Sequence, residues 1–286
     1  GPTFIKLGQI MSIRPDLVPL DLINELKKLQ DSVPPFPVTK AKEIIEIEFG
    51  KTINEIFQDF HDTPIAAASL SQVHKAVLKE GDIVAVKVQR PGIYSKIETD
   101  LEIMYNIAYL LEKHIDEIRY FNLTKIVEEF DKAIHKELNF LNEATNIERF
   151  VSNFKNDQRI YVPKIYRNYC TSKILIMEYI EGIKISEINK FENINIDKKL
   201  LIKRGGDIIL KQIFEHRFFH ADPHPGNIFV LPGNIICFID YGMMGTLTQT
   251  TKNLIISVVS GIISNDINKI IRSTIKLCEP KGDINL

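Results

Sequence analysis

Three polar residues in the last third of the chain have types and spacing suited to handling a phosphate. The run His220-Ala221-Asp222-Pro223-His224-Pro225-Gly226-Asn227 sets a carboxylate, four residues, then an amide. Thirteen residues after the amide comes Asp240-Tyr241-Gly242. Phosphoryl transfer spreads negative charge over phosphate oxygens, so magnesium must be held against them, and magnesium prefers hard oxygen donors. Asn227 and Asp240 supply such oxygens. Asp222 is then placed to accept or orient the proton of an attacking hydroxyl or water. Either piece alone is more often a polar turn or a strand end, because Asp and Gly are common in turns. The two together, in this order and with apolar strands between them, carry the chemical reading.

A second signal is Val84-Ala85-Val86-Lys87, an apolar strand ending in a cation. A strand-end lysine is usually solvated. This one follows a small-residue segment, Ala66-Ala67-Ala68-Ser69-Leu70-Ser71, about twenty residues upstream. Together the pieces resemble the protein-kinase set: a glycine-rich loop, the strand V-A-I-K, the catalytic loop H-R-D-x-x-x-x-N and D-F-G. Glycine at the loop would let backbone N–H groups approach phosphates closely. Alanine restricts that freedom but keeps the surface small. By itself the segment would read as the buried start of a strand.

These groups need a scaffold. Apolar spacing predicts helix over 3–30, split by Pro15 and Pro19, then an extended connector over Val33–Pro37. Thr39–Phe49 is a further helix with Gly50 as its stop. A hairpin pairs 71–78 with 83–88 across a turn at Lys79–Asp82. Long amphipathic helices follow over 95–118 and 123–153, then strands at 159–167 and 173–179. Helix over 196–218, a loop over 219–227, a hairpin over 228–240 and helix over 248–278 complete the chain. A β-rich piece before a helix-rich piece implies two lobes.

The 286 residues suffice for one large domain or two lobes around a cleft. A formal net charge of −1 provides no global field for nucleic acid. No stretch reaches the ~18 uncharged apolar residues of a membrane span. Cys170, Cys237 and Cys278 form no CxxC pair, so neither a zinc ribbon nor a disulfide framework is indicated. His220 and His224 have the i,i+4 spacing of zinc ligands, but two prolines and a glycine make that segment a loop without an obvious third ligand. The chain opens Gly1-Pro2 without an initiator Met, and is expected to begin inside a longer protein.

Jointly, the motifs resemble the UbiB/AarF family of atypical kinases, known also for coenzyme Q kinase-like members. That family has an alanine-rich loop in place of the glycine-rich one, HADPxPGN for the catalytic loop, and an N-terminal K-x-G-Q motif, here Lys6-Leu7-Gly8-Gln9. Arg14-Pro15-Asp16-Leu17 and Leu29-Gln30-Asp31-Ser32-Val33-Pro34-Pro35-Phe36 also look typical, and the resemblance runs from residue 1 to about 245. The family's E-x-D motif falls at Glu137-Leu138-Asn139, where Asn139 replaces the family Asp. That departure is expected either to weaken magnesium or to change how the extension docks. On one continuous helix, 139 and 143 would share a face.

The resemblance implies an α+β, two-lobed protein-kinase-like fold with an N-terminal helical extension. The expected divisions are 1–60 for the extension, 61–182 for the small lobe and 183–286 for a shortened large lobe. Implied site residues are Asp222, Lys87 and Glu143 for catalysis. Ala66, Ala67, Ala68, Ser69, Lys87, Lys6, Gln9 and Glu137 are expected around ATP, with Asn227 and Asp240 on Mg2+. Glu143 is the expected ion-pair partner of Lys87, and Lys6 and Gln9 are expected to reach toward Glu137 and the phosphates. The implied activity is an atypical kinase or ATPase serving quinone or isoprenoid-lipid metabolism rather than protein phosphorylation in trans. Partners would be nucleotide, an isoprenoid or quinone lipid and a membrane surface, in a cytoplasmic or organellar setting. The rivals are a nucleotide-binding pseudokinase and a lipid-binding regulatory module without turnover.

Overall fold

The structure, a computed structural model, describes residues 2–12, 34–116, 122–190 and 196–278. The expected helix over 13–30, the motif Arg14–Leu17 and the run Leu29–Val33 lie outside the described residues. The chain divides into two compact units, one formed by 1–148 with 163–180 and the other by 149–162 with 181–286.

In the first unit, α1 is Pro2–Ser12, α2 is Val38–Phe49 and α3 is Ile53–Ile56. Gly50 ends α2 at φ +64°, a left-handed conformation that costs glycine nothing. Strands β1 (Phe57–Phe60), β2 (Ala66–Ala67), β3 (Ser71–Leu78) and β4 (Ile83–Gln89) follow. With β6 (Ile174–Glu178) they form a sheet in the order β1-β3-β4-β6, β2 also pairing with β3. Every pairing in it is antiparallel. One sheet face buries Ala76, Leu78, Val84, Val86, Val88, Ile174 and Ile176 against Ala41 and Ile45 of α2.

The helices α4 (Ile93–His114) and α5 (Leu123–Leu138) form a second core. Ile97, Leu101, Met104 and Ala108 meet Val127, Phe130, Ile134 and Leu138, at the three- and four-residue spacing of helical stripes. Leu7 of α1 packs on the same cluster.

The continuous helix expected over 123–153 is two helices, because Asn139 sits at φ −100°, ψ 98° between α5 and α6 (Phe140–Phe154). Tertiary partners take up the backbone groups released by the break. Leu138 O accepts from Gln89 Nε2 at 2.7 Å, and Phe140 N–H donates to Ser172 O at 3.0 Å. The shared helical face expected for 139 and 143 is therefore replaced by a corner.

In the second unit, β5 (Ile160–Tyr161) runs parallel to β10, in the sheet order β5-β10-β9-β7. Only two residues of the expected strand 159–167 belong to it, and Arg167–Tyr169 forms a 3-10 turn. Strand β7 is Ile183–Lys184, β9 is Ile228–Leu231 and β10 is Ile235–Phe238. Helix α7 (Lys198–Lys211) runs into a π-helical turn at Gln212–His216, so the helix expected to reach 218 gives way to β8 (Phe218–His220). Strand β8 pairs with β11 (Met244–Thr246). A Cβ on Gly245 would lie 2.3 Å from the Phe219 ring, so a side chain there would require that ring to move. The expected helix 248–278 is a pair, α8 (Gln249–Ile263) and α9 (Ile267–Cys278).

Candidate functional site

In the first unit, pairing of β4 with β3 on one side and β6 on the other sets Lys87 in the sheet to face α6. Lys87 Nζ lies 2.8 Å from Glu143 Oε2, with side-chain exposures of 15% and 4%. The same ammonium lies 5.3 Å from the Phe140 ring centroid. A pair this withdrawn from water is held much more strongly by Coulomb attraction than a surface pair. The alanine-rich segment is a tight turn between β2 and β3. Ala66 and Ala67 pair with Val73 and Gln72, and Ala68 N–H donates to Ser71 O at 2.8 Å. Ser69 is buried, whereas Ala66 and Ala68 are exposed.

The extension helix is tied down twice. Lys6 Nζ reaches Glu137 Oε1 at 2.8 Å, and Thr3 Oγ1 donates to Asp100 Oδ2 at 2.5 Å. The structure therefore brings Lys6 and Glu137 together. The Gln9 side chain lies outside the described residues.

Asn139, the departure from the family motif, caps a helix. Its Oδ1 accepts from Leu141 N–H at 3.1 Å, satisfying one of the orphan donors at the start of α6, three residues before Glu143. Asn and Asp are comparable in this role. Asn139→Asp should leave stability unchanged in urea denaturation. Asn139→Ala should lose ~1 kcal/mol. If the alanine variant unfolds at the wild-type midpoint, the cap contributes nothing.

In the second unit, His220 organises the catalytic-loop candidate. Its Nε2–H donates to Asp240 O at 2.6 Å, while its Nδ1 accepts from Asp222 N–H at 3.2 Å. These partners assign the neutral tautomer. One ring thus links Asp222 to Asp240. The His220 N–H is itself held by Gln212 Oε1 at 2.8 Å, from the π-helical turn. Behind the site, Tyr241 is fully buried, 5.1 Å from the Phe150 ring. Burial raises its phenol pKa well above the ordinary range, so it stays neutral.

Asn227 closes the loop as its N–H donates to His224 O at 2.8 Å. Its own carbonyl accepts from Ile239 N–H at 3.0 Å, at the end of the β9–β10 hairpin, where Ile228 pairs with Phe238. Asn227 and Asp240 therefore leave the same end of one hairpin. Asp240 Oδ1 accepts from Gly242 N–H at 2.9 Å, which orients the carboxylate. His224 Nδ1 takes Gly226 N–H at 3.1 Å, so both rings of the His-x-x-x-His spacing engage backbone groups. Sequence reasoning did not give His220 or Gln212 a positioning role. The signal for His220 was present, since the kinase-loop pattern begins with a histidine two residues before its aspartate. No local signal points to Gln212.

Comparison with known proteins follows the same lines. The ABC1 atypical kinase-like domain matches residues 28–274. "Probable protein kinase UbiB" from Marinobacter nauticus is 42% identical over 257 residues, covering 88% of this chain and 47% of that protein. "Protein ACTIVITY OF BC1 COMPLEX KINASE 8, chloroplastic" from Arabidopsis thaliana is 40% identical over 291 residues, covering 99% of this chain and 38% of that protein. The chain thus spans about half the length, or less, of these curated relatives. Among solved structures, the complex of Rv3197 with erythromycin from Mycobacterium tuberculosis superposes with a TM-score of 0.70 at 25% identity. That match covers 94% of this chain and 68% of the other.

Proposed function

The chain belongs to the ABC1 atypical kinase-like family, and from that premise we propose that it is an ATP- and Mg2+-dependent phosphotransferase or ATPase. The observation that carries the proposal is the Lys87–Glu143 pair, a nearly buried lysine, on the sheet that also carries the small-residue turn, oriented by a carboxylate. In kinase-like chemistry such a lysine meets nucleotide phosphates and needs an acidic partner to aim it. In this reading the Ala66–Ser69 turn approaches the phosphates. Asn227 and Asp240 would hold Mg2+, and Asp222 orients the attacking hydroxyl or water.

The donor set fits magnesium. Both candidates offer hard oxygens, and among the described residues no group of three His, Cys, Asp or Glu could hold a metal. Magnesium commonly takes one or two protein oxygens and completes its shell with phosphate and water. When bound, it supplies charge neutralisation on the transferring phosphoryl group. The protein's part is orientation. His220 keeps Asp222 and Asp240 in register, and Glu143 keeps Lys87 in place.

By the resemblance of its motifs to the UbiB/AarF family, the proposed role is in quinone or isoprenoid-lipid metabolism, with peripheral association at a membrane. Protein phosphorylation in trans is not part of it. The Lys6–Glu137 tie supports this last point, because it fastens α1 over the α5 end that leads to Glu143.

Calorimetry with ATP, with and without Mg2+, and phosphate release with and without isoprenoid-lipid vesicles test the proposal. The expected result is magnesium-dependent binding with turnover. Binding without phosphate release would replace it by a regulatory nucleotide module, and no nucleotide affinity would discard it. Efficient labelling of generic proteins would remove the restriction on substrates.

A further inference from the structure

The connector ahead of the first sheet is fastened to the alanine-rich turn through one side chain. Arg90 follows β4, and its backbone N–H donates to Leu70 O at 2.9 Å. Its guanidinium then divides between two segments far apart in sequence. Nε donates to Ala68 O, inside the turn, at 2.8 Å. The terminal NH2 donates to Pro34 O, in the connector, also at 2.8 Å. The same group lies 5.5 Å from the Phe36 ring centroid. Only a planar fork with several fixed donors can serve two carbonyls and a ring face at once, which a lysine cannot imitate.

A second tie joins the same two segments. Phe36 N–H donates to Gln72 Oε1 at 2.9 Å, from the residue that pairs with Ala67. Gln72 is fully buried, and its amide nitrogen donates to His74 Nε2 at 2.8 Å. His74 Nδ1–H in turn donates to His61 O at 2.9 Å. Burial depresses the His74 pKa below its ordinary value, which keeps the ring neutral and able to accept from Gln72. The relay fixes the orientation of the Gln72 amide, so its oxygen must face Phe36.

We propose that Arg90 is a positioning residue that couples the Pro34–Pro37 connector to the Ala66–Ser69 turn, so that docking of this connector sets nucleotide affinity. The proposal rests on the reading of that turn as the phosphate-facing loop. In effect the turn senses the connector. A docked connector holds Ala68 O and Phe36 together through Arg90, and an undocked one releases a carbonyl of the turn.

The test uses the whole chain and the variants Arg90→Ala, Arg90→Lys, Phe36→Ala and the Arg90→Ala/Phe36→Ala double. Hydrogen exchange without nucleotide reports the Ala68 and Phe36 amides, and calorimetry reports Mg-ATP affinity. The expected result is faster exchange at both amides in Arg90→Ala and about tenfold weaker Mg-ATP binding. Arg90→Lys should fail to rescue. Phe36→Ala should weaken binding, and the double should be no worse than Arg90→Ala, as for residues acting through one link.

Unchanged exchange at Phe36 or Ala68 overturns the tie whether or not nucleotide binds. Changed exchange with unaltered affinity, additive effects in the double, or rescue by lysine overturns the coupling. If the wild-type chain binds no Mg-ATP while Arg90→Ala still quickens both amides, the fastening stands and the functional reading falls.

Discussion

Asp240→Asn is expected to lose the magnesium dependence of ATP binding and to slow phosphate release by about 10²–10⁴-fold. The amide is isosteric with the carboxylate and can still accept from Gly242 N–H through its oxygen, the contact made by Asp240 Oδ1 at 2.9 Å. The carbonyl that receives His220 Nε2–H belongs to the backbone and is untouched. The fold should therefore survive, and what disappears is one negative charge. A metal ion neutralising a transferring phosphoryl group provides several kcal/mol of transition-state stabilisation, which is the source of the expected range. Asp222→Asn makes the contrast. It should slow release while leaving magnesium-dependent binding intact, because a base acts on the nucleophile's proton and not on the metal. Magnesium titrations of binding and turnover on both variants decide the matter. Wild-type magnesium dependence in Asp240→Asn would remove Asp240 from the metal site.

Lys87→Met should cost ~3–5 kcal/mol of stability as well as nucleotide affinity. Glu143 is only 4% exposed and meets Lys87 Nζ at 2.8 Å. Removing the cation withdraws that compensation from an almost buried carboxylate, which is far more costly than loss of a surface pair. A chain of this size should then melt on the order of 10 °C lower. Removing both charges is the informative control. Lys87→Met/Glu143→Leu should recover much of the stability, because a buried pair replaced by apolar side chains is often neutral. It should recover none of the nucleotide affinity, because the phosphate-facing cation is still absent. Denaturant titration of wild type and the two variants measures the first effect and calorimetry the second. A single lysine variant as stable as wild type would show that the pair is not felt by the fold.

Where groups lie close in sequence, the chain announces its structure. Asp222, Asn227 and Asp240 fall within one loop and one hairpin, so their order and spacing alone suggested oxygen ligands at Asn227 and Asp240 and a base at Asp222. The β3–β4 hairpin, with Gly81 at φ +93°, and the stop of α2 at Gly50 follow from residue types acting over a few positions. The K-x-G-Q and alanine-rich motifs were legible in the same local way. Resemblance to a known family supplied the expected partners, Glu143 for Lys87 and Glu137 for Lys6.

The reading by periodicity missed the interruption at Asn139. Apolar residues recur at three- or four-residue spacing on each side, Ile134 and Leu138 before it and Ala144 and Ile147 after it, so the run reads as one helix although the six-residue step from Leu138 to Ala144 shifts the buried stripe round the axis. The break persists because the backbone groups it exposes find distant partners: Gln89 Nε2 donates to Leu138 O, 49 residues away, and Ser172 O, beyond α6, accepts from Phe140 N–H. A helix corner that depends on distant hydrogen-bond partners leaves only a phase slip in the local pattern, which does not say where the chain turns. The same holds for β5, two residues that become a strand only because β10 runs beside them, and for Gln212 beneath His220. Arg90 is the extreme case. Its sequence neighbours say only that a strand has ended, and its two carbonyl partners are brought to it by the folding of segments 22 and 56 residues away. Local chemistry and turn geometry were written in the sequence, whereas the docking of remote segments was decided by packing and by where unsatisfied backbone groups found partners.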